Sequence, residues 1–275
     1  MTDARDVPLP DGRVVRAYAA GPTDAALTVV WHHGSPQTGA LLQPLLDAGR
    51  PRGIRWVSVA RPGYSGSTFS PGRDVASVAG DIAAVADAYA VGSFAVAGAS
   101  GGGPHALACS ALLGERVTGV VCFAGVAPFS DVPWWWDGMQ SPGGLRAAVA
   151  GREARLAHAE VAEFDPAQFG ERDWAALDGE WAPLGQDAQA AGREGADGAT
   201  DDDVAFTQPW GFELRQVQAP VLLVQGGEDR VIPPAHAPAQ LAELDLGELW
   251  LRPRDGHVSV LRALPVALDW LLAPR

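Results

Sequence analysis

The chain has 275 residues, of which 47% are apolar and 19% charged. That supplies a large hydrophobic core, suits one domain carrying an insertion better than two independent units, and excludes a disordered chain. The formal net charge of −13 argues against nucleic-acid binding, which needs clustered cations; all 20 cations are Arg, so no lysine can form a Schiff base.

The opening MTDARDVPLPDG lacks the basic and apolar regions of a signal peptide. No apolar stretch is long enough to span a membrane. Two cysteines, Cys109 and Cys122, are too few for a disulfide framework. A soluble cytoplasmic protein is the expectation.

In chain order, apolar runs predict strands at 14–19, 27–31 and 55–59. A helical repeat covers 74–90, with Asp74 as N-cap and Gly92 as stop. A strand at 94–97, a helix at 104–113 and a strand at 119–123 follow. Continuous apolar strands alternating with helices indicate an α/β layered domain with a mostly parallel sheet. The alternation breaks over 127–209, which holds 16 of the 33 acidic residues and only five of the 20 arginines. That segment shows helical stretches without a convincing strand, and 185–203 reads as a loop or poorly ordered stretch. The β/α pattern returns with a strand at 221–225, a helix at 235–244, a strand at 249–252 and a helix at 258–272. The expected organisation is a core over 1–126 and 210–275, interrupted by a helical cap or lid over 127–209.

Four strand ends carry candidate chemistry. Gly98-Ala99-Ser100-Gly101-Gly102 is a G-x-S-x-G string between a strand and a helix, the context of a nucleophile elbow. There Ser100 projects its hydroxyl, and the Gly101 amide lies at a helix N-terminus facing a developing oxyanion. The alternatives are simple close packing, or a loosened dinucleotide fingerprint at Gly101, Gly103 and Ala106, which lacks its acidic partner about 20 residues on. His33-Gly34-Ser35-Pro36 follows the second predicted strand, and the Ser35 amide can supply a second oxyanion donor; an ordinary turn is the alternative. Zinc binding by His32 and His33 is disfavoured because adjacent strand residues face opposite ways. Gly226-Gly227-Glu228-Asp229 offers a carboxylate to orient an imidazole, with Asp229 preferred over Glu228, unless the string is only a polar turn. Gly256-His257, in a loop before the last helix, offers a general base or a plain surface histidine. The order Ser100, Asp229, His257 is that of one hydrolase architecture. His105 reads as packing, and His158 and His236 as surface or cap residues. Asp201-Asp202-Asp203 reads as a solvated turn or helix start.

At these residues the chain resembles the α/β-hydrolase superfamily over essentially its whole length, in particular the capped single-domain carboxylesterases and proline iminopeptidase-like peptidases. Arg61-Pro62-Gly63-Tyr64-Ser65-Gly66-Ser67 also resembles a recurrent loop of those members. The resemblance implies Ser100 as nucleophile, Asp229 as acid, His257 as base, and Ser35 with Gly101 as oxyanion hole, with no cofactor or metal. Ser100 stands where dehalogenase- and epoxide-hydrolase-like members carry Asp. HGSPQ and GASGGG depart from the iminopeptidase strings.

Trp134, Trp135, Met139 and Trp210 flank the insert; they read as an apolar substrate pocket or as packing of the cap. The expected reaction is cleavage of a small or medium, mainly apolar carboxylic ester through an acyl-enzyme. Thioester, carbon–carbon or peptide hydrolysis, acyl transfer, and ligand binding without turnover are the alternatives. The expected partner is a small-molecule substrate, with no nucleic acid or membrane and a possible homodimer.

Overall fold

In the computed structural model, which describes residues 2–274, the apolar runs assemble into one sheet. The first part of the chain forms β1 (Asp3–Pro8), β2 (Val14–Ala20), β3 (Thr28–His32), α1 (Gln43–Gly49), β4 (Arg55–Val59), α2 (Val78–Ala88), β5 (Phe94–Ala99), α3 (Gly102–Leu113) and β6 (Val117–Phe123). Six helices follow: α4 (Pro133–Trp136), α5 (Gly143–Val149), α6 (Arg152–Val161), α7 (Glu171–Leu177), α8 (Ala182–Glu194) and α9 (Asp197–Thr207). The chain then returns to the sheet through β7 (Val221–Gly226), α10 (His236–Leu241), β8 (Gly247–Arg252) and α11 (Leu264–Leu272). The strand order is β1-β2-β4-β3-β5-β6-β7-β8, antiparallel at the first two pairings and parallel from β4 to β8.

The period-2 alternation of side chains divides the central strands between two cores. Val30, Val57, Val96, Val120 and Leu223 face one cluster, which includes residues of α2 and α3. Val29, Trp31, Trp56, Ala97, Val121 and Leu222 face the other, which includes residues of α1 and α11. Both faces of the parallel strands are therefore covered, which is why these strands read as uninterrupted apolar runs. All the parallel strands end on the same side, and the loops after β3, β5, β7 and β8 carry the four motifs there.

Several elements differ from their sequence-based expectations. β1 escapes hydrophobic patterning because only Val7 of its six residues is buried; it is a charged edge strand paired with β2. Segment 185–203 is not a loop: α8 covers its beginning and α9 its end, and α9 buries Gly198, Thr200, Asp201 and Asp202. α2 starts only at Val78, while Asp74 ties down the preceding turn by accepting from the Ser77 amide at 2.8 Å. The segment at 258–272 begins as a 3₁₀ turn, Ser259–Ala263, before α11. His236 is fully buried, with its Nε2 at 2.9 Å from the Trp135 carbonyl, and accepts the Ala127 amide at Nδ1. Cys109 and Cys122 are both free and buried. Among the described residues no helix is long and apolar enough to cross a membrane.

The β5–α3 turn admits no extra atoms. A Cβ on Gly102 would overlap the backbone carbonyl of His32, and one on Gly103 would overlap the Cys122 sulfur. Gly102→Ala is expected to lower the unfolding free energy by about 1–3 kcal/mol, because the obstructing atom belongs to β3 backbone; urea titration measures it.

Candidate active site

β5 delivers Ser100 in a left-handed turn. Its φ is +53°, a conformation that costs a non-glycine residue about 1–3 kcal/mol and persists only where surrounding structure enforces it. Here the Ser100 amide donates to the Phe123 carbonyl at 2.8 Å, and the Ser100 carbonyl accepts from the Gly103 amide at 2.9 Å. A Cβ on Gly98 would strike the Gly102 backbone, so the small residues flanking Ser100 are what let β5 meet α3. Gly101 directly abuts Ser35: a Cβ there would stand 2.6 Å from the Ser35 hydroxyl and 2.8 Å from the Phe206 ring.

The β3 loop is oriented from behind by Arg61. That guanidinium donates to the carbonyls of His33 at 2.6 Å and Gly34 at 3.3 Å. A trans peptide is planar, so drawing the Gly34 carbonyl toward Arg61 turns the Ser35 N–H to the opposite side. Neither the Ser35 nor the Gly101 amide donates a hydrogen bond among the described residues.

Asp229, past the end of β7, is 3% exposed. Its Oδ1 accepts from the amides of Val231 and Ile232 at 2.8 and 2.9 Å, and its Oδ2 accepts from His257 Nδ1 at 2.8 Å. A carboxylate is acceptor-only, so Nδ1 carries the proton and Nε2 is left with its lone pair. Glu228 makes no such contact; its amide instead donates to the Asp255 carbonyl at 2.9 Å, holding the β8 loop against β7. Burial alone would lower the His257 pKa, but the Asp229 charge and hydrogen bond, helped by Asp173, raise it above the ordinary value. No hydrogen bond joins Ser100 to His257 among the described residues; such contacts commonly tighten only when substrate is bound.

Ser100, Ser35, Gly101 and Met139 line one cavity of about 300 Å³. Val126, Leu145, Phe206, Val231 and Ile232 give it apolar walls. Arg155 and Asp203 supply a charged pair at 2.6 Å, and burial raises the Asp203 pKa to about 6 against the pull of Arg155. Of the four residues expected at a substrate pocket, Trp134, Trp135 and Trp210 do not line this cavity, and Trp210 lines another, with Phe129 and Phe212. Trp135 is fully buried, its Nε1 donating to the Ala127 and Pro128 carbonyls, and Trp210 is packed in the same core with its Nε1 on the Phe206 carbonyl. Trp134 stands beside the His236 ring. The Trp135 and Trp210 indoles fill the junction between insert and sheet, where large apolar area is best removed from water, whereas Trp134 is exposed.

His32 and His33 part company as the strand geometry requires. His33 Nε2 accepts from the Arg61 amide, while His32 Nε2 is 3.5 Å from the Cys109 sulfur. Burial pushes both pKa values well down. Among the described residues no group of three His, Cys, Asp or Glu side chains is placed to hold a metal ion.

Sequence reasoning missed the largest polar feature beside the site. Asp202 is no solvated turn residue: α9 carries it to zero exposure. Its Oδ1 accepts from Arg61 Nε at 3.1 Å and Arg73 Nη2 at 2.6 Å. Its Oδ2 accepts from Arg61 Nη2 at 2.5 Å, from the Tyr64 hydroxyl at 2.8 Å and from the Ser35 hydroxyl. His105 Nε2 lies 3.6 Å from Oδ1, and burial with the neighbouring Arg61 lowers the His105 pKa to about 4. Burial would raise the Asp202 pKa, but Arg61 and Arg73 together hold it well below the usual range. Asp201 and Asp203, on either side of Asp202 along the helix, turn instead to Arg152 and Arg155. The one available signal was the Arg61–Ser67 loop, whose buried cation needs a partner.

The α/β hydrolase fold family matches this chain over residues 28–262. Among solved structures, a thermophilic esterase from Thermogutta terrifontis is 18% identical, with 98% of each chain covered and a TM-score of 0.72. An esterase from Exiguobacterium antarcticum is 19% identical over 98% of this chain and all of that one, with a TM-score of 0.73. An enol-lactonase from Burkholderia xenovorans is 18% identical over 98% of this chain and 99% of that one, with a TM-score of 0.71. No curated protein matches the sequence.

Asp202→Asn is expected to cost about 3–5 kcal/mol in denaturant unfolding, because it leaves two buried guanidinium groups without their counter-charge. The folded pKa is depressed, so the carboxylate's contribution is present above the unfolded value of about 3.9 and is lost as pH falls through the lower folded value. Wild-type and variant stabilities therefore converge only in strong acid.

Proposed function

This chain belongs to the α/β-hydrolase fold family, and from that premise we propose that it is a serine hydrolase cleaving small or medium, mainly apolar carboxylic esters. The observation that carries the reading is the 2.8 Å bond from His257 Nδ1 to Asp229, on loops at the same sheet end as the left-handed Ser100 turn. Esterases and an enol-lactonase share this fold, which suits it to ester chemistry.

In this reading the substrate carbonyl sits over Ser100, and His257 Nε2 takes the hydroxyl proton as Oγ attacks. The negative oxygen is met by the Ser35 and Gly101 amides, whose orientation is fixed before reaction by Arg61 and the α3 N-terminus. His257 then protonates the departing alcohol. Water, activated by the same imidazole, releases the acid and restores Ser100. The cavity, about 300 Å³, is at the lower end for small-molecule sites, and its Met139, Leu145, Phe206 and Ile232 walls favour a short apolar group.

Ser100→Ala is expected to reduce kcat toward a chromogenic short-acyl ester by about 10³-fold or more. Undiminished turnover would remove the nucleophile assignment. The general base must be neutral, and its folded pKa is raised. The acid limb of kcat/KM should therefore have its midpoint above the unperturbed histidine value of about 6.5, with activity increasing through it as pH rises.

A further inference from the structure

Asp173 belongs to the insert, yet almost everything it touches lies 84–86 residues away, at the base loop. It is the third residue of α7 and is 1% exposed. Its Oδ2 accepts from the His257 amide at 3.2 Å and from the Gly170 amide at 3.3 Å. Its Oδ1 accepts from the Val258 amide at 2.9 Å, the Ser259 amide at 2.7 Å and the Ser259 hydroxyl at 2.8 Å. The Ser259 oxygen in turn accepts from the Gly256 amide at 2.8 Å. A side chain at position 256 would run into the Asp173 carboxyl, so Gly256 is what lets the two segments close.

This is an N-cap supplied from another part of the chain. The first amides of a helical turn lack internal acceptors, and a carboxylate ordinarily fills that role from the residue just before it. Here the turn Ser259–Ala263 starts two residues after His257, and its cap comes from α7. His257 is thus held at two points: its imidazole by Asp229 and its backbone by Asp173. The two carboxylates approach from different parts of the chain, one from the β7 loop and one from the insert.

Resting on the serine-hydrolase reading, we propose that Asp173 is a positioning residue for the catalytic base. By clamping the backbone of residues 257–259 from the insert, it aims His257 Nε2 at Ser100 and makes turnover depend on the insert being docked. Asp173 touches neither the cavity nor the reacting atoms. The other charged groups around the loop are already matched: Asp255 pairs with Arg172 at 2.8 Å and Arg252 at 2.5 Å, and Glu180 pairs with Arg262 at 2.5 Å. Asp173 has no cation partner among the described residues; amides and a hydroxyl surround it.

Asp173→Asn retains shape but leaves one acceptor oxygen for five donors. Kcat should fall about tenfold or more with KM within twofold, since small misplacements of a catalytic group cost that much or more. The reaction of Ser100 with an organophosphonate should slow in proportion, and the His257 imidazole titration, followed by NMR, should move to lower pH. Arg262→Ala removes a surface tie between the same two segments and should leave all three measurements unchanged. Should Asp173→Asn not fold, Ser259→Ala replaces it, with a kcat loss of about threefold or more at unchanged KM. Wild-type turnover in Asp173→Asn overturns the proposal, as does an equal loss in Arg262→Ala. A wild-type protein inert to the phosphonate would sink the hydrolase reading alone, and hydrogen exchange at the 257–259 amides in Asp173→Asn would still decide whether Asp173 holds this backbone.

Discussion

One carboxylate, withdrawn from water and surrounded by two guanidinium groups, sets the arrangement of the insert side of this molecule. Asp202 sits where desolvation is most costly, and Arg61 and Arg73 converge on its two oxygens. An isolated charge there would be untenable; paired and hydrogen-bonded on every side, it becomes a fixed point. Because Arg61 also grips the carbonyls beneath Ser35, the electrostatics that dock α9 also orient a backbone amide beside Ser100. The docking of α9 and the orientation of the Ser35 amide are one constraint.

The same logic acts at the other side of the site. α7 presents Asp173 to the His257 loop, so the insert contributes one carboxylate to the Ser35 loop and another to the His257 loop, while the sheet carries Ser100 and Asp229 at its strand ends. The strong negative charge of this segment is therefore not merely a solvated face. Of its acidic residues, Asp173 and Asp202 are structural contacts with the sheet domain, and Asp203 faces the cavity against Arg155.

Much of this fold is legible from sequence because parallel strands buried on both faces leave uninterrupted apolar runs, as in β3, β5 and β7. The Ser100 turn is legible because a sharp strand-to-helix corner tolerates only small neighbours. β1 is not, since an edge strand with one buried side chain obeys no hydrophobic period. The aspartates of α9 mislead for a related reason: three in a row suggest solvent, yet successive helix positions point about 100° apart, and each meets a different arginine. The tryptophans mislead because aromatic area beside a cavity and aromatic area sealing a junction look alike in one dimension. Trp135 and Trp210 belong to the junction, while Phe206, unremarked in the sequence, overhangs Gly101.

Asp229 is fastened by amides of its own loop, whereas the backbone around His257 is fastened by a foreign helix. The Asp229 carboxylate is thus held by the sheet's own loop, and the His257 backbone by sheet and insert together. A chimera that exchanged residues between β6 and β7 for the helices of a distant homologue would inherit the Ser100 turn and the Asp229 loop intact. It would need to bring its own acceptor into register with three backbone amides, or leave the imidazole on an uncapped turn.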